Sequence, residues 1–537
     1  MNKTKRYGSV VLSGLLLSLA WPAIGDLTPL IFVAFIPFLW VEDFNFRKRL
    51  KPRKIYTLAV TLFLVFNLST TWWIYFASGG GMAMAVIFNS LLMAVPMWLY
   101  HLTRRFVGQK EGDVAFVLFW LGFEWCHFHW ELSWPWLTMG NVFANQPNWV
   151  QWYETTGVLG GSLWVFLINL FLFKLFRNVY LNREKIHEQY SLLILVLVLF
   201  VLPLGLSFSV FGKREIKGGT YKEVVVVQPN VDPYKEKFEG GLSPEEQIER
   251  ITTLAKSELT EKTALVVTPE TAIPFSLDEE AFGKFQVVED ISLLTREFKT
   301  LRLITGASTH RYFFTDQKPS YAAESLSDEK GFVEYYNTAV QIQSGLDKYD
   351  FYRKAKLVLG VEKIPFSNTL TFLSDLALEM GGTSGNLGFD PEPVVFESDL
   401  YNRDLKVAPV ICYESIYGEY VTDYIKKGAN LIAIVTNDGW WDDTPGYKQH
   451  LAYARLRAIE NRRSIVRSAN TGISAIINEW GEVEQKTSWW EPAVLKAQVR
   501  INNERTYYSR HGDFIGRTAF FVAVLLILYT IVRYIKH

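Results

Sequence analysis

The sequence predicts a polytopic α-helical membrane domain of about eight spans joined to a single α/β domain outside the cytoplasm. Three observations carry that expectation. Long apolar runs fill residues 7–211 and return at 518–532; Lys and Arg cluster in alternate connections; and from residue 212 the pattern changes to short β-branched runs separated by helical stretches. With 49% hydrophobic and 20% charged residues, the chain is too apolar for an ordinary soluble protein and too charged for membrane spans alone. Its formal charge is zero, so no basic field exists to hold nucleic acid, and that class of partner is excluded.

The apolar runs are 7–24, 27–40, 55–76, 82–100, 114–126, 158–173, 192–211 and 518–532. A spanning helix needs ~20 residues, and the second and fifth runs are short, so length does not decide them. Charge does. Lys3, Lys5 and Arg6 open the chain; Arg47, Lys48, Arg49, Lys51, Arg53 and Lys54 follow the second run; Arg104, Arg105 and Lys110 follow the fourth; Lys174, Arg177, Arg183 and Lys185 follow the sixth; Arg533 and Lys536 follow the last. The connections 25–28, 77–81 and 127–157 hold no Lys or Arg. The positive-inside rule then predicts a membrane domain at 1–211, an extracytoplasmic domain at 212–511 and a last span at 512–537, with both termini cytoplasmic.

Residues 1–26 also have the layout of a signal peptide, with a basic start, an apolar middle and Ala20 and Ala23 near the end; the apolar run that follows at once favours a retained hairpin. Trp130, Trp134, Trp136, Trp149 and Trp152, in the connection 127–157 that holds no Lys or Arg, read as an interfacial belt.

In the α/β part, strands are expected at 223–227, 264–267, 301–304, 338–342, 407–411, 431–435, 465–467 and 473–477. Helices are expected at 243–259, 278–298, 417–427 and 447–463. Continuous apolar strands imply sheets covered on both faces within one layered domain. The polar stretch 315–334 and the irregular stretch 367–399 read as exposed loops, either of them a candidate lid.

Two cysteines, Cys126 and Cys412, are too few for a disulfide framework, and both are expected to be free. Cys412 closes an apolar strand in VICYES, a position where a thiol emerges at a sheet edge and the following N–H groups can face a substrate carbonyl. A lone buried cysteine is more often a small hydrophobe. Its neighbours weaken that reading: Glu270 in VVTPETAIPF, Lys354 in YRKAKLVLGVEKIPF and Glu414 all border apolar runs, and one shared polar site would satisfy them together. A thiol of ordinary pKa, ~8.5, also needs such a base or cation to attack at neutral pH.

Two other constellations compete. A Cys412–His450 dyad is one, although His450 falls in a helix where a packed or capping role is commoner. Cys126, His127, His129 and Glu131 suggest a metal cluster, but adjacent positions at a span end seldom converge on one ion. Neither a metal nor a cofactor is expected.

PETAIP, then YRKAKLV with Glu362 downstream, then CYES, in that order, resemble the Glu, Lys and Cys triad of the nitrilase superfamily. TNDGWW at 436–441, QHLAYARLRAIE, RSANTGISAII from Arg467 and YSRHGD just before the last apolar run narrow the resemblance to the apolipoprotein N-acyltransferase family, over essentially the whole chain. That resemblance implies a nitrilase-like αββα sandwich, with Glu270 as general base, Lys354 as oxyanion stabiliser and Cys412 as nucleophile, supported by Glu362, Tyr413 and Glu414. It also implies an enzyme of the bacterial cytoplasmic (inner) membrane with no cofactor. The expected reaction carries an acyl chain from a phospholipid, phosphatidylethanolamine being the expected donor, through a Cys thioester to the α-amine of the N-terminal diacylglyceryl-cysteine of apolipoproteins. A membrane-tethered nitrilase-type amidase and a non-catalytic lipoprotein-binding scaffold are the other readings weighed.

One feature departs from the family, which commonly has a tryptophan shortly after the glutamine of the first strand. After Gln228 this chain offers Tyr234, Lys237 and Phe238 instead. Phe238, Phe275, Trp440 and Trp441, with Phe366, are the candidate substrate or lid contacts, although isolated aromatics are more often packing.

Overall fold

In hydrocarbon a backbone satisfies its own polar groups only as a helix or a closed barrel, and the apolar runs of this chain are helices. The computed structural model describes residues 1–212, 219–237, 241–326, 330–345, 349–366 and 386–536. The chain divides into two units, Met1–Arg214 with His511–His537, and Glu215–Arg510.

The first unit contains α1 (Lys3–Ala20), a 3-10 turn at Thr28–Phe32 leading into α2 (Ile36–Arg47), α3 (Arg53–Thr71), the short α4 (Ile74–Ala77), α5 (Gly79–Phe106), α6 (Gln109–His129), α7 (Tyr153–Phe176) and α8 (Tyr190–Gly212). Among the described residues, six stretches are long and apolar enough to cross a membrane: Thr28–Arg47, Arg53–Thr71, Gly79–Phe106, Tyr153–Leu181, Ile186–Gly212 and Phe514–Ile535. The other two expected runs are helical but more polar, since α1 opens on Lys3, Lys5 and Arg6 and α6 carries Glu111, Asp113 and Glu124.

Buried charged groups of α2 and α5 are paired, as a low-dielectric surround demands. Glu42 of α2 accepts from Tyr100 over 3.0 Å, lies 2.7 Å from Nδ1 of His101 and pairs with Arg104, all three on α5; Arg104 also reaches Asp43 at 2.6 Å. Trp136 is buried, stacked on Trp134 and tilted against Trp73, so it belongs to the interior of this unit and not to an interfacial belt.

The second unit runs β1 (Thr220–Gln228), α9 (Pro244–Lys256), β2 (Thr263–Val267), β3 (Ile273–Asp278), α10 (Gln286–Glu297), β4 (Arg302–Phe313), β5 (Glu324–Ser325), β6 (Phe332–Gln343), β7 (Asp350–Arg353), β8 (Val407–Ile411), α11 (Gly418–Lys426), β9 (Leu431–Thr436), α12 (Pro445–Asn461), β10 (Ile465–Ala469), β11 (Ala475–Ile477), β12 (Val483–Lys486), β13 (Ala493–Ile501) and α13 (Tyr507–His511). Helix α14 (Phe514–Ile535) belongs again to the first unit. α9 starts where the sequence supplies a capping box: Ser243 Oγ accepts from the Glu246 N–H over 3.1 Å, and the Glu246 carboxylate accepts from the Ser243 N–H over 2.7 Å.

One sheet has the order β13-β1-β2-β4-β6-β5, with β3 beside β4 and β7 beside β6; the other has the order β12-β11-β10-β9-β8. Side chains alternate across β1. Val224 and Val226 share a core with Ile411, Ile432 and Ile434 of the second sheet, whereas Val225 and Val227 pack with Ile248 and Ile251 of α9 and Val288 and Ile291 of α10. Val421 and Ile425 of α11 and Leu451 and Ala458 of α12 cover the second sheet, which completes a nitrilase-like αββα sandwich.

Strands β3, β7, β12 and β13 were not foreseeable from apolar runs. They are short or, like β13 with Lys496, Gln498 and Arg500, polar on one face, and long-range pairing defines them. The stretch 315–334 is not wholly a loop: β5 lies within it and β6 begins in it, because β4 and β6 pair continuously from Arg302↔Gln343 to Phe313↔Phe332. The expected loop at 367–399 lies outside the described residues as far as 385.

Candidate active site

Parallel strands leave unpaired backbone and emerging side chains at their carboxyl ends. β1, β2 and β4 run parallel, as do β8, β9 and β10. Glu270 follows the end of β2, Cys412 directly follows β8, Asn437 directly follows β9, and Lys354 directly follows β7.

Local backbone sets each group. Cys412 has φ +48°, a left-handed conformation uncommon for a residue with a side chain, and it opens a 3-10 turn, Cys412–Ile416. Thr271, next to Glu270, is also left-handed at φ +47°. Gly306 of β4 makes room for this second turn: a Cβ there would sit 2.5 Å from the Pro269 oxygen and 2.6 Å from Glu270 Cα, and the Gly306 N–H donates to that same oxygen over 3.1 Å.

Lys354 Nζ donates to Oε1 of Glu270 over 3.1 Å and to Oε1 of Glu362 over 2.9 Å. Asn337 Nδ2 reaches the same two oxygens at 2.7 and 2.9 Å, so one ammonium and one amide hold two carboxylates together. The remaining Glu270 oxygen accepts from the Asn437 N–H over 3.0 Å, and the remaining Glu362 oxygen from the Val358 N–H over 2.8 Å. Lys354 is 1% exposed and Glu270 6%, so these charges interact with little screening.

Electrostatics follows from that packing. Burial alone would raise the Glu270 carboxyl, but Lys354, Asn337 and Lys237 hold it below the ordinary carboxylate value. Burial alone would lower Lys354, yet Glu270 and Glu362 keep it well above the usual lysine value, and Cys412 adds to the effect. Burial pushes the Cys412 thiol up, Glu270 pushes it further, and Lys354 opposes both. The site thus contains a firmly ionised carboxylate, a firmly protonated lysine and a thiol that stays protonated until a base takes its proton.

Glu414 joins the turns that carry the lysine and the thiol. It accepts from the N–H groups of Ala355 at 2.7 Å, Lys356 at 3.2 Å and Ile411 at 2.8 Å, and from the Tyr352 hydroxyl at 2.5 Å. Burial raises its carboxyl to about 7 against the pull of these donors. Tyr413 is buried against Tyr417, leaving its main chain in the turn after the thiol.

His450 does not form the alternative dyad. Its Nε2 lies 3.1 Å from the main-chain oxygen of Cys412 and 2.9 Å from Ser415 Oγ, while Nδ1 faces Asp438 at 2.9 Å, so the ring braces the turn. His127 accepts from Trp130 over 2.8 Å, and His129 Nδ1 lies 2.7 Å from the Trp125 oxygen; among the described residues no cluster of three or more His, Cys, Asp or Glu is arranged to hold a metal ion. Cys126 and Cys412 are both free.

The aromatic candidates separate. Phe238 lies outside the described residues. Phe275 packs against the core beneath α9 and α10. The Tyr234 hydroxyl donates to the Trp440 oxygen over 2.8 Å, with the rings 5.4 Å apart, and the Trp441 ring lies 5.6 Å from that of His450. Phe366 is 38% exposed. Sequence reasoning missed Asn337, Tyr352 and Asn437 as parts of this network. Asn437 lies inside TNDGWW and Tyr352 opens YRKAKLV, whereas Asn337 offers only the signal of an amide in an otherwise buried strand.

Residues 13–171 match the family described as Apolipoprotein N-acyltransferase N-terminal domain, and residues 224–508 match the Carbon-nitrogen hydrolase family. An apolipoprotein N-acyltransferase of Chlorobaculum tepidum is 30% identical over 532 residues, 97% of this chain and 96% of its own length. One of Geobacter metallireducens is 27% identical, covering 94% of this chain and 92% of its own. Matched along nearly its full length, this chain belongs to the apolipoprotein N-acyltransferase family.

Proposed function

We propose that this membrane N-acyltransferase moves an acyl chain from a phospholipid, phosphatidylethanolamine being the favoured donor, through a thioester on Cys412 to the α-amine of the diacylglyceryl-cysteine at the start of an apolipoprotein. The convergence of Glu270, Lys354 and Cys412 carries this reading. Glu270 accepts the thiol proton, and the sulfur attacks the sn-1 ester carbonyl; Lys354 Nζ and the Tyr413 N–H stabilise the resulting oxyanion. Collapse breaks the ester C–O bond, and the leaving alkoxide takes the proton from Glu270 as lysophospholipid departs. The acceptor amine then attacks the thioester, Glu270 takes the amine proton, and the proton passes to the departing Cys412 sulfur as the amide forms.

Glu362 and Asn337 hold Lys354 and Glu270 in their direct contact, and Glu414 couples the two turns. The alternating cationic clusters support a catalytic unit on the outer face of the bacterial cytoplasmic membrane with both termini inside. Both substrates would then reach the site laterally, as lipids of one leaflet.

The test is intact-protein mass spectrometry after mixing the full-length enzyme with phosphatidylethanolamine vesicles. The expected result is a hydroxylamine-labile acyl adduct on Cys412, one lysophospholipid released per adduct, and neither in Cys412→Ala. Folded enzyme that forms no adduct and releases no lysophospholipid with any phospholipid would overturn the reading.

A further inference from the structure

Lys237 lies on the segment after β1, where the family's tryptophan would be sought, and it is buried at 3% exposure. Its Nζ donates to the main-chain oxygen of Glu270 over 3.1 Å and to the Thr271 hydroxyl over 2.6 Å. Its own backbone is fixed in turn: Gln247 of α9 donates to the Lys237 oxygen over 3.1 Å, and the Lys237 N–H donates to the Asp232 oxygen over 2.9 Å.

Among the described residues no carboxylate stands within ion-pair distance of this ammonium, so its two close acceptors are neutral. A buried cation without a paired anion is costly and is displaced by solvation unless other contacts hold it. Here both contacts fall on one feature, the left-handed turn that presents Glu270. Burial accordingly lowers Lys237 to about 8, with the Glu270 charge acting against the drop, and Lys237 in turn helps to depress the Glu270 carboxyl.

We propose that Lys237 is a positioning residue for acyl transfer, clamping the strained Glu270–Thr271 turn and supplying a second cation beside the Glu270 carboxylate. This inference rests on the reading of Glu270 as the base. The groups that set Glu270 come from several segments: Lys354 and Glu362 from the stretch after β7, Asn337 from β6, Cys412 after β8, the Asn437 N–H after β9, and Lys237 after β1. Lys237 is the one of these that holds the backbone of Glu270 as well as facing its charge.

The experiment is the pH dependence of single-turnover lysophospholipid release from phosphatidylethanolamine vesicles, in the wild type, Lys237→Met, Lys237→Arg, Thr271→Val and Glu270→Gln. In the wild type the rate falls on the acid side as Glu270 takes a proton, and Glu270→Gln releases no lysophospholipid at any pH. Lys237→Met shifts the limb upward by roughly half to one pH unit and slows the plateau, Lys237→Arg restores the wild-type midpoint, and Thr271→Val, which removes one anchor of Nζ, gives a smaller upward shift. Folded Lys237→Met with an unmoved limb overturns the proposal, even if its plateau is slow, since packing alone would give that. Should Lys237→Met not fold, an unmoved limb in Thr271→Val overturns it instead. Release that persists in Glu270→Gln would overturn the base assignment, an outcome distinct from both.

Discussion

Nε2 of His450 lies 3.1 Å from the main-chain oxygen of Cys412, and because that oxygen can only accept, the imidazole donates to the backbone of the turn that carries the thiol. Ser415 Oγ donates to the same oxygen over 2.7 Å, and Arg467 holds Asp438 against Nδ1 of the ring with a 2.6 Å ion pair. A left-handed residue with a side chain stores about 1–3 kcal/mol of backbone strain, which the surroundings must over-determine. This buried network does so for Cys412.

His450→Leu should therefore slow thioester formation by roughly 10- to 100-fold and cost ~1–3 kcal/mol of stability. His450→Gln, which keeps an N–H able to reach the Cys412 oxygen, should recover most of both. Single-turnover acylation and denaturant unfolding of the two variants check this. Equal losses in both would reduce the ring to simple packing.

Asn337→Ala removes the amide that helps hold Glu270 ionised, so the acid limb of acylation should move to higher pH and kcat should fall about tenfold. The sign for stability is the same. A carboxyl depressed in the folded state contributes stability that is complete above its unfolded value of 4.5 and is lost as pH falls through the folded value, so the variant should lose part of its margin above pH 4.5 and almost none at lower pH. Thermal melts across that range, beside the pH profile, test both halves.

Gly306→Ala alters none of Glu270, Lys354 and Cys412 chemically but adds a Cβ that would meet Glu270 Cα at 2.6 Å and the Pro269 oxygen at 2.5 Å, pushing Glu270 out of position. Misplacing a reacting group by about 1 Å can cost ~100-fold in rate. Acyl-adduct formation should fall by that order while the protein still folds, and normal activity would show that β4 can move aside.

Alkylation of Cys412 should run opposite to catalysis in one variant. Burial and Glu270 raise the thiol while Lys354 lowers it, so Glu270→Gln should bring the thiol down and speed iodoacetamide labelling at pH 8, whereas Lys354→Met should slow it. Acyl transfer should be lost in both. Site-resolved mass spectrometry in a Cys126→Ser background measures the labelling rates; faster labelling of Lys354→Met than of wild type would reverse the assigned electrostatics.

Local physics made much of this protein legible before folding. Helices in lipid satisfy their hydrogen bonds within one segment, so α3, α5, α7, α8 and α14 could be read directly from apolar runs. The apolar runs of β1, β2, β8 and β9 were equally plain, and motifs placed Glu270 and Cys412 at strand ends and singled out Lys354. Only tertiary structure decided the pairings between distant segments. β13 lies on β1 through Thr220↔Ile501, Asn337 spans two carboxylates from a strand with no motif, Lys237 reaches under Glu270, and His450 braces the thiol's turn. These are contacts among residues far apart in the chain, whose donors and acceptors find one another only once two sheets have stacked, and no periodicity within a single segment encodes them.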